Sequence, residues 1–161
     1  MRVLWDHRPH VGHLTVHRSW ERVFELPARL PGAHLQPSGE TRQRFRDLKV
    51  WQRSHALVLS LYPLTATLPA SERFGLVSQL RRAVVSVPAN IAEGSKRQGR
   101  NDFAHFLNIA EGSLAETEYL LTLVVDLGYV PQVTAAPLLA DIDEIAGMLY
   151  ALRTRVEREE R

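Results

Sequence analysis

Residues 76–95 constrain the fold most, because they carry two helical stripes at once. Apolar side chains recur every three or four residues, the spacing of a buried helical seam; they are Val77, Leu80, Val84, Val87 and Ile91. Polar side chains follow the same rhythm on another face; they are Gln79, Arg82, Ser86, Asn90 and Glu93. Since Gln, Arg, Ser and Asn make directed hydrogen bonds, we expect this polar stripe to contact another helix, another subunit or a ligand.

The rest of the chain after residue 45 shows helical periodicity and no strand-type alternation. Helix one is expected from about Asp47 to Leu64, with Pro63 kinking its last turn. Helix two should begin at a Ser71 cap, continue bent through Pro88 to about Glu93, and end at Gly94.

Helix three should have Asn101 as its cap and stop at Gly128. Helix four should have Thr134 as its cap and Pro137 in its first turn. Four amphipathic helices joined by short loops predict an all-α, up-down-up-down antiparallel four-helix bundle over residues 45–161.

Residues 1–44 differ from the remainder in composition and charge. They hold five of the seven histidines, and seven Arg against four acids give them a charge of +3. Residues 45–161 carry thirteen Lys or Arg against fourteen acids, a charge of −1. We expect an N-terminal extension or linker that is poorly ordered or weakly helical; an over-long gene start is the alternative. The bundle lacks the basic field typical of dedicated nucleic-acid binders.

Composition also bears on chemistry and compartment. The absence of cysteine excludes disulfides, thiolate nucleophiles and cysteine metal sites. No apolar run approaches the roughly 18 residues that cross a bilayer, and the N-terminus lacks the apolar core of a signal peptide. We therefore expect a cytoplasmic protein without membrane contact.

The loop from Gly94 to Asn101 has the glycine spacing of a phosphate-binding loop but not its other features. Arg100 and Asn101 stand where Lys and Ser or Thr belong, and a helix precedes the loop where a strand should. An interhelical loop is the better interpretation. Its basic side chains Lys96, Arg97 and Arg100 are candidate contacts for a nucleic-acid backbone, with a solvated loop as the alternative.

No pattern indicates catalysis or a cofactor. Asp102-x-x-His105 occurs once, whereas a di-iron bundle needs two Glu-x-x-His pairs and further carboxylates. Glu111, Glu116 and Glu118 lie on helix three, with Glu111 and Glu118 two turns apart on one side. We expect these glutamates to pair with Arg81 or Arg82, within or between chains, rather than to provide paired carboxylates for acid–base work. The sequence predicts a non-enzyme without cofactor, metal or small-molecule substrate.

Small residues thin one side of helix three; they are Ala104, Ala110, Gly112, Ser113 and Ala115. Gly112 costs about 1 kcal/mol relative to Ala in a helix interior, so close helix approach, within the chain or between subunits, should compensate. Helix one carries apolar residues on more than one side, including Leu59 and Tyr62. A second buried face predicts a homo-oligomer.

Several motifs together resemble a known family. Residues 86–94 read Ser-Val-Pro-Ala-Asn-Ile-Ala-Glu-Gly. Around them stand Phe45-x-x-Leu48-x-Val50-Trp51-Gln52, Tyr62, Pro69-x-x-Glu72, Gln79-x-Arg81-Arg82-Ala83, Phe106-Leu107-x-x-Ala110-x-Gly112-Ser113-x-x-Glu116 and Leu127-Gly128-Tyr129. Over about residues 45–155 the chain looks like the bacterial four-helix-bundle protein family, also called the 23S rRNA intervening-sequence protein family.

The resemblance implies a four-helix protomer that assembles as a ring-like homopentamer, and it supplies no catalytic residues. A related branch contains the strongly basic accessory protein of diversity-generating retroelements, which binds nucleic acid and partners a reverse transcriptase. Two functions are therefore weighed. One is a non-enzymatic oligomeric scaffold held in register by the polar stripe, and the other is an RNA-binding accessory module that repeats its basic loop around a ring.

Overall fold

The computed structural model describes residues 45–158, and the predictions for residues 1–44 lie outside this range. A 3₁₀ turn, Phe45–Asp47, precedes α1 (Lys49–Thr65), and a second, Ala70–Glu72, precedes α2 (Leu76–Gly94). The chain continues through α3 (Arg100–Asp126) and α4 (Gln132–Arg158). The described range contains no strand, and α1 contacts α2, α2 contacts α3, α3 contacts α4 and α4 contacts α1. The predicted all-α four-helix bundle is confirmed.

The buried core contains the seams that periodicity predicts. On α2, Val77, Leu80, Val84, Val87 and Ile91 are all buried, as predicted. On α4, Ile142, Ile145 and Leu149 are buried in the same way. The buried side of α1 runs through Val50, Leu57 and Leu61, whereas Tyr62 is 43% exposed. The apolar arc of α1 is therefore wider than the side that the bundle covers.

The predicted caps are wrong at three helices. Ser71 lies in the 3₁₀ turn, and α2 begins only at Leu76, after Gly75. Asn101 lies inside α3, which begins one residue earlier after Gly99. Thr134 lies inside α4, because the Pro131 carbonyl already accepts the Thr134 and Ala135 amides at 2.9 and 3.2 Å. A short polar side chain near a helix start favours a cap without fixing which residue provides it.

Three prolines lie inside helices. Pro63 and Pro88 lie within α1 and α2, as predicted. Pro137 was expected in the first turn of α4, but it is the sixth residue of a helix that starts at Gln132. The first four amides of a helix have no intrahelical acceptor, so Pro137 stands where an amide would otherwise bond to the preceding turn.

The end of α3 confirms the stop that the sequence predicts at Gly128. Gly128 has a φ of +73°, a left-handed conformation that a residue with a Cβ adopts only with strain. Its amide bonds to the Val125 carbonyl at 2.8 Å, and the Tyr129 amide bonds to the Val124 carbonyl at 3.0 Å. This is the Schellman pair of hydrogen bonds, and it turns the chain directly into α4.

Two helical glycines have opposite environments. A Cβ added at Gly94, at the end of α2, would lie 2.6 Å from the Phe106 Cβ and 2.9 Å from the Phe103 Cδ2 of α3. A Cβ added at Gly112 would meet nothing within 4 Å. The close approach expected at Gly112 within the chain is therefore wrong, and Gly94 provides it instead.

Candidate functional site

The polar stripe of α2 lies along the outer surface where α2 packs on α3. Ser86 and Ser113 bring their hydroxyl oxygens to 2.9 Å, joining the two helices. The Asn90 amide nitrogen donates to the Ser86 carbonyl at 2.8 Å and to the Ser86 hydroxyl at 2.9 Å. All three residues are half-buried. This hydrogen-bonded group, here called the serine cluster (Ser86, Asn90 and Ser113), fixes the register of α2 against α3.

The α3 side of the serine cluster is anchored in its own helix. The Ser113 hydroxyl donates to the Ile109 carbonyl at 3.0 Å, and the fully buried Thr117 donates its hydroxyl to the Ser113 carbonyl at 2.8 Å. Because the Ser113 and Thr117 hydroxyls each bond to a carbonyl of α3, the α3 side of the cluster holds its geometry within its own helix.

Other residues of the predicted stripe lack such partners. Gln79, Arg82 and Glu116 are exposed. None of the side-chain hydrogen bonds and ion pairs found in residues 45–158 involves them. Apolar and small groups lie beside them: Val85 is 39% exposed, Ile109 is 37% exposed, and Gly112 faces open space. We call this outer surface of α2 and α3 the α2/α3 face (Gln79, Arg82, Val85, Ile109, Gly112 and Glu116).

Glu111 does not make the expected pair with an arginine of α2 within the chain. It accepts a hydrogen bond from the Arg153 Nε of α4 at 2.9 Å, and Arg153 also binds Glu157 through Nη1 at 2.9 Å. These hydrogen bonds, first that to Glu111, raise the pKa of the Arg153 guanidinium, so the charge persists at any ordinary pH. Glu111 therefore joins α3 to α4 through its hydrogen bond with Arg153. Pairing of Glu116 with Arg82 between chains stays a prediction.

Arg81 also lies apart from the α2/α3 face. Its guanidinium turns toward the end of α1, where Nε donates to the Thr65 hydroxyl at 2.8 Å and Nη2 reaches the Tyr62 carbonyl at 3.4 Å. The guanidinium carbon lies 4.8 Å from the centre of the Tyr62 ring. Arg81 therefore joins α2 to α1 through neutral acceptors and an aromatic ring.

The basic loop between α2 and α3 lies at the opposite end of the bundle from the α1–α2 connection. Lys96, Arg97 and Arg100 are exposed. Arg97 forms an ion pair with Glu93 one turn earlier, and its guanidinium lies 4.8 Å from the Phe106 ring centre. Lys96 and Arg46 both lie over the Phe45 ring, at 6.0 and 5.7 Å from its centre. The structure brings a fourth basic residue, Arg46, to this end.

Sequence reasoning missed the polar contact between α1 and α4. Arg53 donates to Asp141 at 2.9 Å and also binds Glu144. The hydrogen bond that Arg53 donates to Glu144 is the largest cause of the raised pKa of the Arg53 guanidinium. The partners of Arg53 lie 88 and 91 residues further along the chain. No local spacing links residues this far apart.

Between residues 45 and 158, no group of three or more His, Asp or Glu side chains could hold a metal ion. Over the same range, no helix is both long enough and apolar enough to cross a membrane. Exposed polar groups lie on the α2/α3 face and in the basic loop.

A four-helix bundle with these features defines the class: an all-α protein whose polar residues join neighbouring helices. The family follows from comparison with known proteins. The model of the 23S rRNA-intervening sequence protein family matches residues 46–151, and the chain belongs to that family.

A solved structure is similar to this chain. It is a protein of unknown function from the S23 ribosomal protein family of Bacteroides thetaiotaomicron, 29% identical in sequence, with a TM-score of 0.61. The match covers 65% of this chain and 95% of that one. The comparison with curated proteins gave no significant match.

Proposed function

We propose that this chain is the protomer of a non-enzymatic, cytoplasmic homo-oligomeric scaffold, and that the α2/α3 face joins one copy to the next. The observation that carries the proposal is Gly112, in the middle of a 27-residue helix with nothing within 4 Å of its added Cβ, set among the exposed apolar side chains of the α2/α3 face and its charged side chains that are unbonded within residues 45–158. An open helical glycine is not sufficient alone, since Gly147 of α4 is equally open. A helical glycine costs about 1 kcal/mol relative to alanine, and no close packing inside the described bundle offsets this. Close approach by a second copy would do so.

The surroundings of Gly112 fit a contact between copies. Val85 and Ile109 provide exposed apolar area, and Arg82 and Glu116 provide opposite charges without partners in the described range. Apolar area flanked by hydrogen-bonding groups is typical of protein interfaces. The family resemblance suggests five copies, which gives a particle of about five times the 18.3 kDa chain.

Light scattering coupled to size-exclusion chromatography tests the proposal on the full chain. We expect a mass that is a multiple of 18.3 kDa. Gly112→Leu should reduce that mass to one chain, because the larger side chain fits the isolated bundle but blocks close approach. Gly147→Leu is the matched control, since Gly147 is another helical glycine that faces open space. We expect it to leave the mass unchanged.

Two outcomes would contradict the proposal. The wild-type chain could elute as a single copy at micromolar concentration, or Gly112→Leu could assemble as the wild type does. Arg82→Ala provides a second readout. Because Arg82 has no hydrogen bond or ion pair inside residues 45–158, its loss should weaken assembly while leaving the stability of the single bundle unchanged.

The basic loop supports a second candidate, an RNA-binding accessory module. The supporting observation is that Lys96, Arg97 and Arg100 are exposed at the same end of the bundle, where Lys96 and Arg46 flank the Phe45 ring. Basic groups beside a half-buried aromatic ring suit contact with a single-stranded nucleic acid. A ring would repeat this loop and raise avidity.

Filter binding of a single-stranded RNA against salt tests this candidate. Phosphate contacts predict that affinity falls steeply as salt rises. The triple variant Lys96→Ala, Arg97→Ala and Arg100→Ala should abolish binding while far-UV circular dichroism stays unchanged. Absence of wild-type binding at low salt would refute the candidate, whatever the assembly state.

A further inference from the structure

An open cleft lies at the end of the bundle where α1 gives way to α2. Its volume is about 270 Å³, and two arginines, Arg73 and Arg81, line it. Leu68 and Val77, both 8% exposed, provide an apolar wall, and Thr65 provides a hydroxyl. Ligand sites typically combine an apolar lining with a few polar groups. This cleft has both, and its volume lies just below the usual range of such sites.

The charge of Arg81 is oriented but not neutralised. Its partners are the Thr65 hydroxyl and the Tyr62 carbonyl and ring, none of which carries a charge. A guanidinium has five N–H donors, and these contacts occupy two of them. Because Thr65 also donates its own hydroxyl to the Tyr62 carbonyl at 2.8 Å, the Arg81 side chain is held in place before any ligand arrives.

Arg73 adds a second positive charge at the mouth of the cleft. Its guanidinium lies 5.7 Å from the centre of the exposed Phe74 ring. Within residues 45–158 it makes no ion pair or side-chain hydrogen bond. The adjacent Glu72 does not line the cleft; its carboxylate oxygens take the Leu76 amide at 3.3 Å and the Tyr129 hydroxyl at 3.5 Å.

We propose that this cleft binds a compact oxyanion that carries an apolar group, with the anion between Arg73 and Arg81 and the apolar part against Leu68 and Val77. Arginine forks match the geometry of carboxylates and phosphates. A volume of about 270 Å³ admits a group the size of a phenyl ring beside the anion. The proposal is independent of the scaffold function, since the cleft is on the α1–α2 end and not on the α2/α3 face.

Saturation-transfer NMR with phenyl phosphate and with benzoate tests the proposal on the full chain. We expect binding of at least one probe, and the tighter one identifies the oxyanion as a phosphate ester or a carboxylate. Inorganic phosphate, used as a competitor, should bind more weakly because it leaves the apolar wall exposed. Since Arg73 contacts only the exposed Phe74 ring and makes no ion pair or side-chain hydrogen bond within residues 45–158, Arg73→Ala should fold normally and weaken binding about tenfold.

Lys49→Ala is the control, because Lys49 is an exposed basic residue in the first turn of α1, at the other end of the bundle. It should bind the probes as the wild type does. The proposal is overturned if neither probe binds, if Arg73→Ala binds as tightly as Lys49→Ala, or if inorganic phosphate binds as tightly as the better probe. The mass in solution has no bearing on these outcomes, so failure here and failure of assembly are distinguishable.

Discussion

Gly94 allows a sharp prediction about how α2 and α3 pack. In Gly94→Ala the new Cβ would lie 2.6 Å from the Phe106 Cβ and 2.9 Å from the Phe103 Cδ2. Carbon atoms pack best at about 3.5–4.0 Å, so each contact is short by roughly 1 Å. The Phe103 ring can turn away. The Phe106 Cβ cannot, because it is attached directly to the α3 backbone, and the two helices must therefore separate.

The expected net effect is a loss of stability. Overpacking of this kind costs about 1–3 kcal/mol. Alanine regains up to about 1 kcal/mol of helix propensity relative to glycine, and less at the last residue of a helix. We therefore expect Gly94→Ala to lower the free energy of unfolding by about 1–2 kcal/mol.

Gly147→Ala is the matched control for this experiment. Gly147 lies inside α4, and a Cβ there meets nothing within 4 Å, so the same substitution should raise stability by up to about 1 kcal/mol. Urea denaturation followed by circular dichroism, at one fixed protein concentration and with equal m-values, measures both changes. The reasoning is refuted if Gly94→Ala is as stable as the wild type, or if the two variants shift in the same direction.

Three further predictions use the same assay. Gly128→Ala should lower the free energy of unfolding by about 1–2 kcal/mol, because a residue with a Cβ is strained at a φ of +73°. A loss of stability smaller than that caused by an exposed mid-helix substitution would contradict this. A double-mutant cycle of Ser86→Ala and Ser113→Ala should show a coupling of about 0.5–1.5 kcal/mol, and strict additivity would exclude the hydrogen bond. Glu111→Gln with Arg153→Met should couple by about 0.5–1 kcal/mol, less in high salt. Arginine is protonated throughout about pH 6 to pH 10, and the raised pKa of Arg153 extends its charged range further upward. Arginine titration should therefore not change this coupling within that range.

The fold could be predicted from the sequence because helical periodicity is a local signal. The seams of α2 and α4 repeat over several turns, so small errors at one position do not move the buried face. The helix caps were predicted less accurately than the seams, because nearby residues can also begin a helix. The structure starts the helices after Gly75, after Gly99 and at Gln132 instead of at Ser71, Asn101 and Thr134. The stop at Gly128 was predictable, since only a left-handed residue completes that turn.

The candidate site was predictable in its residues but not in their partners. The α2 stripe correctly identified Ser86 and Asn90 as hydrogen-bonding residues, but nothing local indicates that Ser113 of α3 is the partner. Glu111 shows the same limit. Its partner Arg153 is 42 residues away on α4, and choosing it over Arg81 or Arg82 requires knowing how the helices are rotated about their axes.

The structure divides the predicted polar stripe into two sets with different roles. Ser86 and Asn90 are bonded within the serine cluster and Arg81 is bonded to α1, so their loss should first reduce the stability of the single bundle. Gln79, Arg82 and Glu116 face outward without bonds in the described range, so their loss should leave that stability unchanged. A polar residue that stabilises nothing in its own chain is the kind of residue that can be used for contact with another copy. The separation of stability effects from assembly effects across these two sets is therefore the most direct test of the scaffold proposal.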